Sequence, residues 1–157
     1  QFKTTLFDSN INNKIDFNDS YQTTNINTST QKGHEHILTI KKLHFIEFLT
    51  INYTALTSKN DGETALKIPQ NKLTMTAGMT HKKWNYGLAY IYESDKQDYA
   101  DTTIASYDIA NFNLNYQLEN QLSFHLKLHN IFNETYETAA GFNELKRTVY
   151  FGVKKTF

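Results

Sequence analysis

From Trp84 to Tyr92 every second residue is large and apolar or aromatic: Trp84, Tyr86, Leu88, Tyr90 and Tyr92. The same period of two recurs through the second half of the chain. Phe112, Leu114, Tyr116 and Leu118 alternate with Asn111, Asn113, Asn115 and Gln117. Leu122, Phe124, Leu126 and Leu128 alternate with Gln121, Ser123, His125, Lys127 and His129. Leu73, Met75, Ala77 and Met79 repeat the pattern upstream, and Val149, Phe151, Val153 and Phe157 share one face at the end. Side chains alternate across a strand, whereas a helix repeats about every 3.6 residues, so these runs specify two-faced strands.

The remaining residues fit the same class. Phe2 to Phe17 and Tyr21 to Lys42 each read as one long strand, with bulges expected near Asn10–Asn13 and near Gly33. Ile46 to Thr57 makes a third. With 69–80, 82–93, 105–117, 120–130 and 147–157, the fold class is all-β: an antiparallel meander of about eight long strands. Composition supports strands, with 17 Asn, 20 Thr and 14% aromatic residues. Sixteen basic residues balance sixteen acidic ones, which removes the electrostatic argument for nucleic acid. With no cysteine, disulfides, thiolate metal sites and cysteine nucleophiles are excluded. No window approaches the ~20 apolar residues of a spanning helix.

Connection lengths carry the next constraint. Tight turns are expected at Leu43–Phe45, around Thr80–His81 and around Leu118–Glu119. Long loops are expected at Ser58–Ile68, Ser94–Ile104 and roughly Glu134–Lys146. Short and long alternate, which gathers the long loops at one end of the sheet; the 18–20 link is a short connection at that end. Outer-membrane barrels segregate loops in this way, and soluble sandwiches have no reason to. The clear strands also have the ~9–11 residues that a tilted membrane strand needs. Trp84 at one end and Tyr90 and Tyr92 at the other suit interfacial girdles.

The segment Asn130-Ile-Phe-Asn-Glu-Thr-Tyr136, followed by Glu137-Thr138, Gly141-Phe142 and Arg147-Thr-Val-Tyr-Phe-Gly-Val153, resembles the end of a TonB-dependent outer-membrane receptor. Its Tyr-Glu-Thr continuation is most similar to the cobalamin transporter branch. Upstream, Lys14-Ile15-Asp16-Phe17 and Lys32-Gly33-His34-Glu35 fall in the order of a looser family pattern, with His36 where Leu is usual. The resemblance implies that residues 1–157 are the C-terminal segment of a transmembrane β-barrel of about 22 strands, with the plug domain absent. Phe151, Val153 and Phe157 resemble the signal read by the barrel-assembly machinery; Lys155 departs from it. The implied partners are outer-membrane lipid, that machinery, a metal-chelate ligand and, through the missing N-terminal part only, the TonB complex. The implied location is the bacterial outer membrane, and no cofactor is expected. Eight strands without a plug would neither transport nor tightly bind the chelate.

Site candidates follow from the strands and loops. Asp95, Asp98 and Asp101, with Tyr99, Tyr136 and Phe142, are candidate substrate-facing loop residues. The acids could bind Ca2+, or be solvated loop acids, since their spacing matches no known Ca2+ loop. The aromatics could equally be packing. His125, Lys127 and His129 share a polar face and are lumen-facing candidates, for an anionic substrate, for the plug or for simple hydration. His34 and His36 share a strand face at a spacing compatible with a metal, but no third ligand is assignable, so no metal site is expected. Motifs for acyl or phosphoryl transfer and metalloprotease chemistry are missing, so no enzyme is expected. The function expected is TonB-dependent uptake of a metal chelate: cobalamin, or else a ferric siderophore or haem. The alternatives are a small closed eight-stranded barrel with a structural or adhesion role, and a soluble β-sandwich binding module.

Overall fold

The computed structural model describes residues 1–18, 22–119 and 121–157. Among the described residues thirteen strands occur in order: β1 (Phe2–Phe17), β2 (Thr23–Leu43), β3 (Ile46–Asn60), β4 (Glu63–Thr64), β5 (Asn71–His81), β6 (Trp84–Glu93), β7 (Lys96–Gln97), β8 (Thr103–Ile104), β9 (Tyr107–Glu119), β10 (Leu122–His129), β11 (Glu137–Ala139), β12 (Phe142–Asn143) and β13 (Thr148–Lys155). No helix is present among the described residues. One sheet runs β1-β2-β3-β5-β6-β9-β10-β13, so every long strand pairs with its neighbour in sequence. All of these pairings are antiparallel. This is the expected meander, and it has no sandwich crossover. The short strands decorate the loops: β4 folds back on β3, β7 pairs with β8, and β11 pairs with β12.

Register fixes which side chains share a face. One row of cross-strand partners is Ile40, Leu49, Ala77, Leu88, Phe112, Leu128 and Val149. Phe124 lies opposite both Tyr116 and Val153, and Leu126 opposite both Leu114 and Phe151. The apolar sets of β9, β10 and β13 therefore occupy one face, while Asn113 and Lys127 pair on the other. Two aromatic rows bound this apolar band. Trp84, Tyr116, Phe124 and Val153 form one; His36, Tyr53, Leu73 and Tyr92 form the second. The distance between them is the stretch from Trp84 to Tyr92, which matches the ~9–11 residues of a tilted spanning strand.

Several boundaries differ from expectation. His81 pairs with Trp84, so the turn expected around Thr80–His81 falls at Lys82 and Lys83, with Lys82 at φ 55°. The β9–β10 turn includes residue 120, and the short link expected at 18–20 includes 19 and 20; these lie outside the described residues, as does Tyr21. The bulge expected at Gly33 is absent, because β1 and β2 keep one register from Phe2↔Leu38 to Phe17↔Thr23. Gly33 serves close packing instead: a Cβ there would meet the Ala55 carbonyl oxygen at 2.3 Å and the Phe7 ring at 2.8 Å. Asn13, at φ 57°, disturbs β1 locally without shifting register. True register shifts lie between Ile46 and Phe48 and between Leu122 and Ser123.

Candidate functional site

The three long loops meet at the end of the sheet opposite the β2–β3 and β5–β6 turns. The first begins at Asp61-Gly62, both at positive φ (48° and 90°), as the tight hairpin between β3 and β4 requires. The Asp61 carboxylate accepts the Asn27 and Thr28 N–H groups at 3.2 and 2.7 Å, fastening this turn to β2.

Asp98 joins all three loops. The Ala140 N–H donates to its Oδ2 at 2.8 Å, the Tyr99 N–H donates to Oδ1 at 2.8 Å, and Lys67 Nζ lies 3.5 Å from Oδ1. Burial by itself would raise the Asp98 carboxyl. The two N–H donors and the Lys67 charge outweigh burial and hold it below the ordinary carboxylate value. At the start of the second loop, Glu93 receives Lys72 Nζ at 2.7 Å and Lys96 Nζ at 3.0 Å. Lys96 and Glu93 are both buried, and each is tolerable there because the other charge is within hydrogen-bond reach.

The third loop is organised by Asn130, whose side chain is fully buried. Its amide donates to the Glu134 and Leu145 carbonyls at 2.9 and 3.1 Å and accepts the Glu134 N–H at 2.9 Å. Asn130 and Asn133 adopt φ of 51° and 59°, a region that Asn enters more readily than most residues. Asn133 then accepts the Arg147 N–H, and Arg147 Nε donates to the Ile131 carbonyl. The Asn-x-x-Asn segment is thus a hydrogen-bonded scaffold. It delivers Tyr136 onto Tyr107, with ring centroids 4.5 Å apart, in a small core with Ile109 and Ile91. Burial first, and the nearby Glu144 charge second, raise the Tyr136 phenol above its ordinary value. Ile91 and Ile109 are partners on the face opposite Leu88 and Phe112, so this loop folds over the polar face.

A cavity of about 710 Å³ opens between the β1–β2 hairpin and the first two loops, lined among others by Lys14, Phe17, Glu63, Lys67, Tyr99 and Asp101. Tyr99 lies under Lys67 Nζ, 4.6 Å from its ring centre. Among the sequence candidates, Asp98, Tyr99 and Asp101 come together here. Asp98 is occupied as a clasp, whereas Asp101 is exposed. Asp95 is exposed outside this lining, Tyr136 is buried in the core, and Phe142 is 73% exposed. His125 and Lys127 lie on the polar face away from the cavity. His125 Nδ1 is 2.6 Å from Asn115 Oδ1, and Lys127 lies over the Tyr150 ring. His129 continues that row. No group of three or more His, Cys, Asp or Glu residues is gathered for a metal among the described residues. Lys67, Lys14 and Phe17 were not site candidates in the sequence, although Lys14 and Phe17 belong to the upstream family pattern; the meander brings them to the cavity.

Residues 1–133 match the family described as TonB dependent receptor-like, beta-barrel. Three solved structures resemble the chain. The ferric-catecholate import receptor Fiu of E. coli K12 aligns with TM-score 0.77 and 16% identity over 99% of this chain and 25% of its own. The ferripyoverdine receptor of the Pseudomonas aeruginosa outer membrane aligns with TM-score 0.78 and 17% identity over 98% and 24%. A mutant of the ferric enterobactin receptor PfeA, also from Pseudomonas aeruginosa, aligns with TM-score 0.79 and 20% identity over 99% and 29%. The chain spans about a quarter of the length of these structures. No curated protein sequence matches it.

Proposed function

The chain belongs to the TonB-dependent receptor β-barrel family, and from that membership we propose that it forms part of the wall of a receptor for a ferric siderophore. The family consists of outer-membrane transport proteins rather than enzymes, and this sheet is a stretch of such a wall. Its apolar band faces lipid, and its polar face borders the hydrated lumen.

The observation that carries the substrate reading is the loop end: a cavity of about 710 Å³ between the β1–β2 hairpin and the first two loops, beside the Asp98 clasp that ties the third loop to them. Tyr99 and Asp101 are the residues of this chain that would touch the chelate there, with the remaining contacts supplied by the rest of the barrel. His125, Lys127 and His129 would line the lumen below. The three similar structures are all receptors for ferric siderophores, which favours that class over the cobalamin suggested by the Tyr-Glu-Thr segment. Phe151, Val153 and Phe157, all strongly exposed, are the side chains offered to the barrel-assembly machinery. Coupling to the TonB complex belongs to a plug domain and not to this wall.

Outer membranes from cells producing a whole receptor that contains this wall should retain radioiron-labelled ferric enterobactin or ferripyoverdine, and a Tyr99→Ala variant of that wall should retain less. Retention of labelled cyanocobalamin with neither siderophore held would overturn the substrate class.

A further inference from the structure

We propose that His34 and His36, with Thr4, form a two-imidazole site for a divalent transition metal, copper above all, on the lipid-side face at the rim of the apolar band. The placement follows from register. His36 lies opposite Tyr53, in the row that continues through Leu73 to Tyr92, and His34 lies one step further toward the long loops. This is the level at which apolar side chains give way to polar ones and water reaches the wall.

The geometry suits one ion. Residues two apart on a strand project from the same face, and the two rings have centroids 4.9 Å apart with planes at 48°. Two imidazoles on one ion, each nitrogen about 2.0 Å from it and each ring centre roughly 1.1 Å further out, have centroids ~4.5–5.2 Å apart at right-angle to tetrahedral geometry. The observed separation falls inside that window.

His36 is also held in place. Its ring stacks between Phe2 (6.0 Å, 9°) and Tyr53 (6.5 Å, 2°), and its Nδ1 lies 3.1 Å from Thr4 Oγ1. With Nδ1–H donating to that hydroxyl, Nε2 presents its lone pair, the arrangement common to ligating histidines. Water would complete the coordination, since Glu35 projects to the opposite face and pairs with Thr54 and Thr5. Imidazole donors with open positions bind Cu2+ more tightly than other first-row divalent ions. The chain has no cysteine to compete.

The test is a Cu2+ titration of the detergent-solubilised protein followed by EPR, with fold checked by resistance of the barrel to heat in gel mobility. The wild type should show a copper signal with splitting from two nitrogens. His34→Gln and His36→Gln should each lose that two-nitrogen pattern, Thr4→Val should weaken binding roughly tenfold, and His44→Gln and His81→Gln, at the short-turn end of the sheet, should retain it. A folded wild type that takes up no copper, or a folded double variant H34Q/H36Q with an unchanged signal, would overturn the site.

Discussion

The apolar band and the loop layer above it obey opposite rules of burial. In the band large hydrophobic side chains are exposed: Phe151 is 69% exposed, Val149 60% and Leu88 48%. In the loop layer polar and charged groups are buried beside a small core of Tyr107, Ile109 and Tyr136, with Asn130 at 0%, Asp98 at 4% and Glu93 at 8%. A water-soluble domain could not sustain such an exposed face without aggregating. The contrast is what two solvents demand of one sheet. Lipid stabilises the band from outside, while the loops, in water with little apolar area to bury, hold together through hydrogen bonds and ion pairs.

The largest effect is expected in the loop layer. Asn130→Ala removes three hydrogen bonds made by a fully buried side chain and places Ala at φ 51°, which should cost about 3–4 kcal/mol. Urea titration of the folded barrel in lipid measures it, and a loss below ~1 kcal/mol would deny that polar bonding carries this layer. The band answers to a charge instead. Leu126→Arg should cost ~2–4 kcal/mol near the bilayer midplane, whereas Asn113→Arg on the opposite face should cost far less.

Sheet packing supplies a smaller contrast. Gly78→Ala would place a methyl 2.2 Å from the Phe48 ring and should cost about 1–3 kcal/mol unless Phe48 is also cut to Ala. Gly87→Ala, whose nearest neighbour is the Asn113 side chain at 3.8 Å, should be neutral or stabilise by roughly 0.5 kcal/mol.

The smallest effect is local and depends on pH. Because the folded state holds the Asp98 carboxyl below its ordinary value, its contribution is present above the unfolded carboxylate range and is lost as pH falls through the folded value. Proteolytic cutting of the 134–146 loop should therefore rise in acid, at pH below about 4. In Asp98→Asn it should be raised at all pH values and show no such step. A step that survives in Asp98→Asn would assign the clasp to another group.

The same contrast explains what was legible in the sequence. The band was readable because lipid on one side and water on the other impose a period of two, and Phe124, Leu126 and Leu128 carry it without interruption. Loop lengths placed the long loops at one end for the same reason. The clasp was not readable: Asp98 finds its partners at Lys67 and Ala140, tens of residues away, and nothing local separates it from Asp95 and Asp101, which stay exposed. Tyr136 stood among substrate-facing candidates, yet the Asn130 scaffold turns it into a core. Gly33 suggested a bulge because sequence reveals that a side chain is missing but not that Phe7 and Ala55 crowd the space.

The central claim is that the face of Leu126 meets lipid and the face of Lys127 meets water. The absence of cysteine allows a single nitroxide label at either position without background. In the protein reconstituted in lipid bilayers, a label at 126 should be relaxed by oxygen and shielded from a water-soluble nickel chelate, and a label at 127 should show the reverse. Equal access of the nickel chelate to both positions, or protection of 127 alone, would contradict a membrane wall.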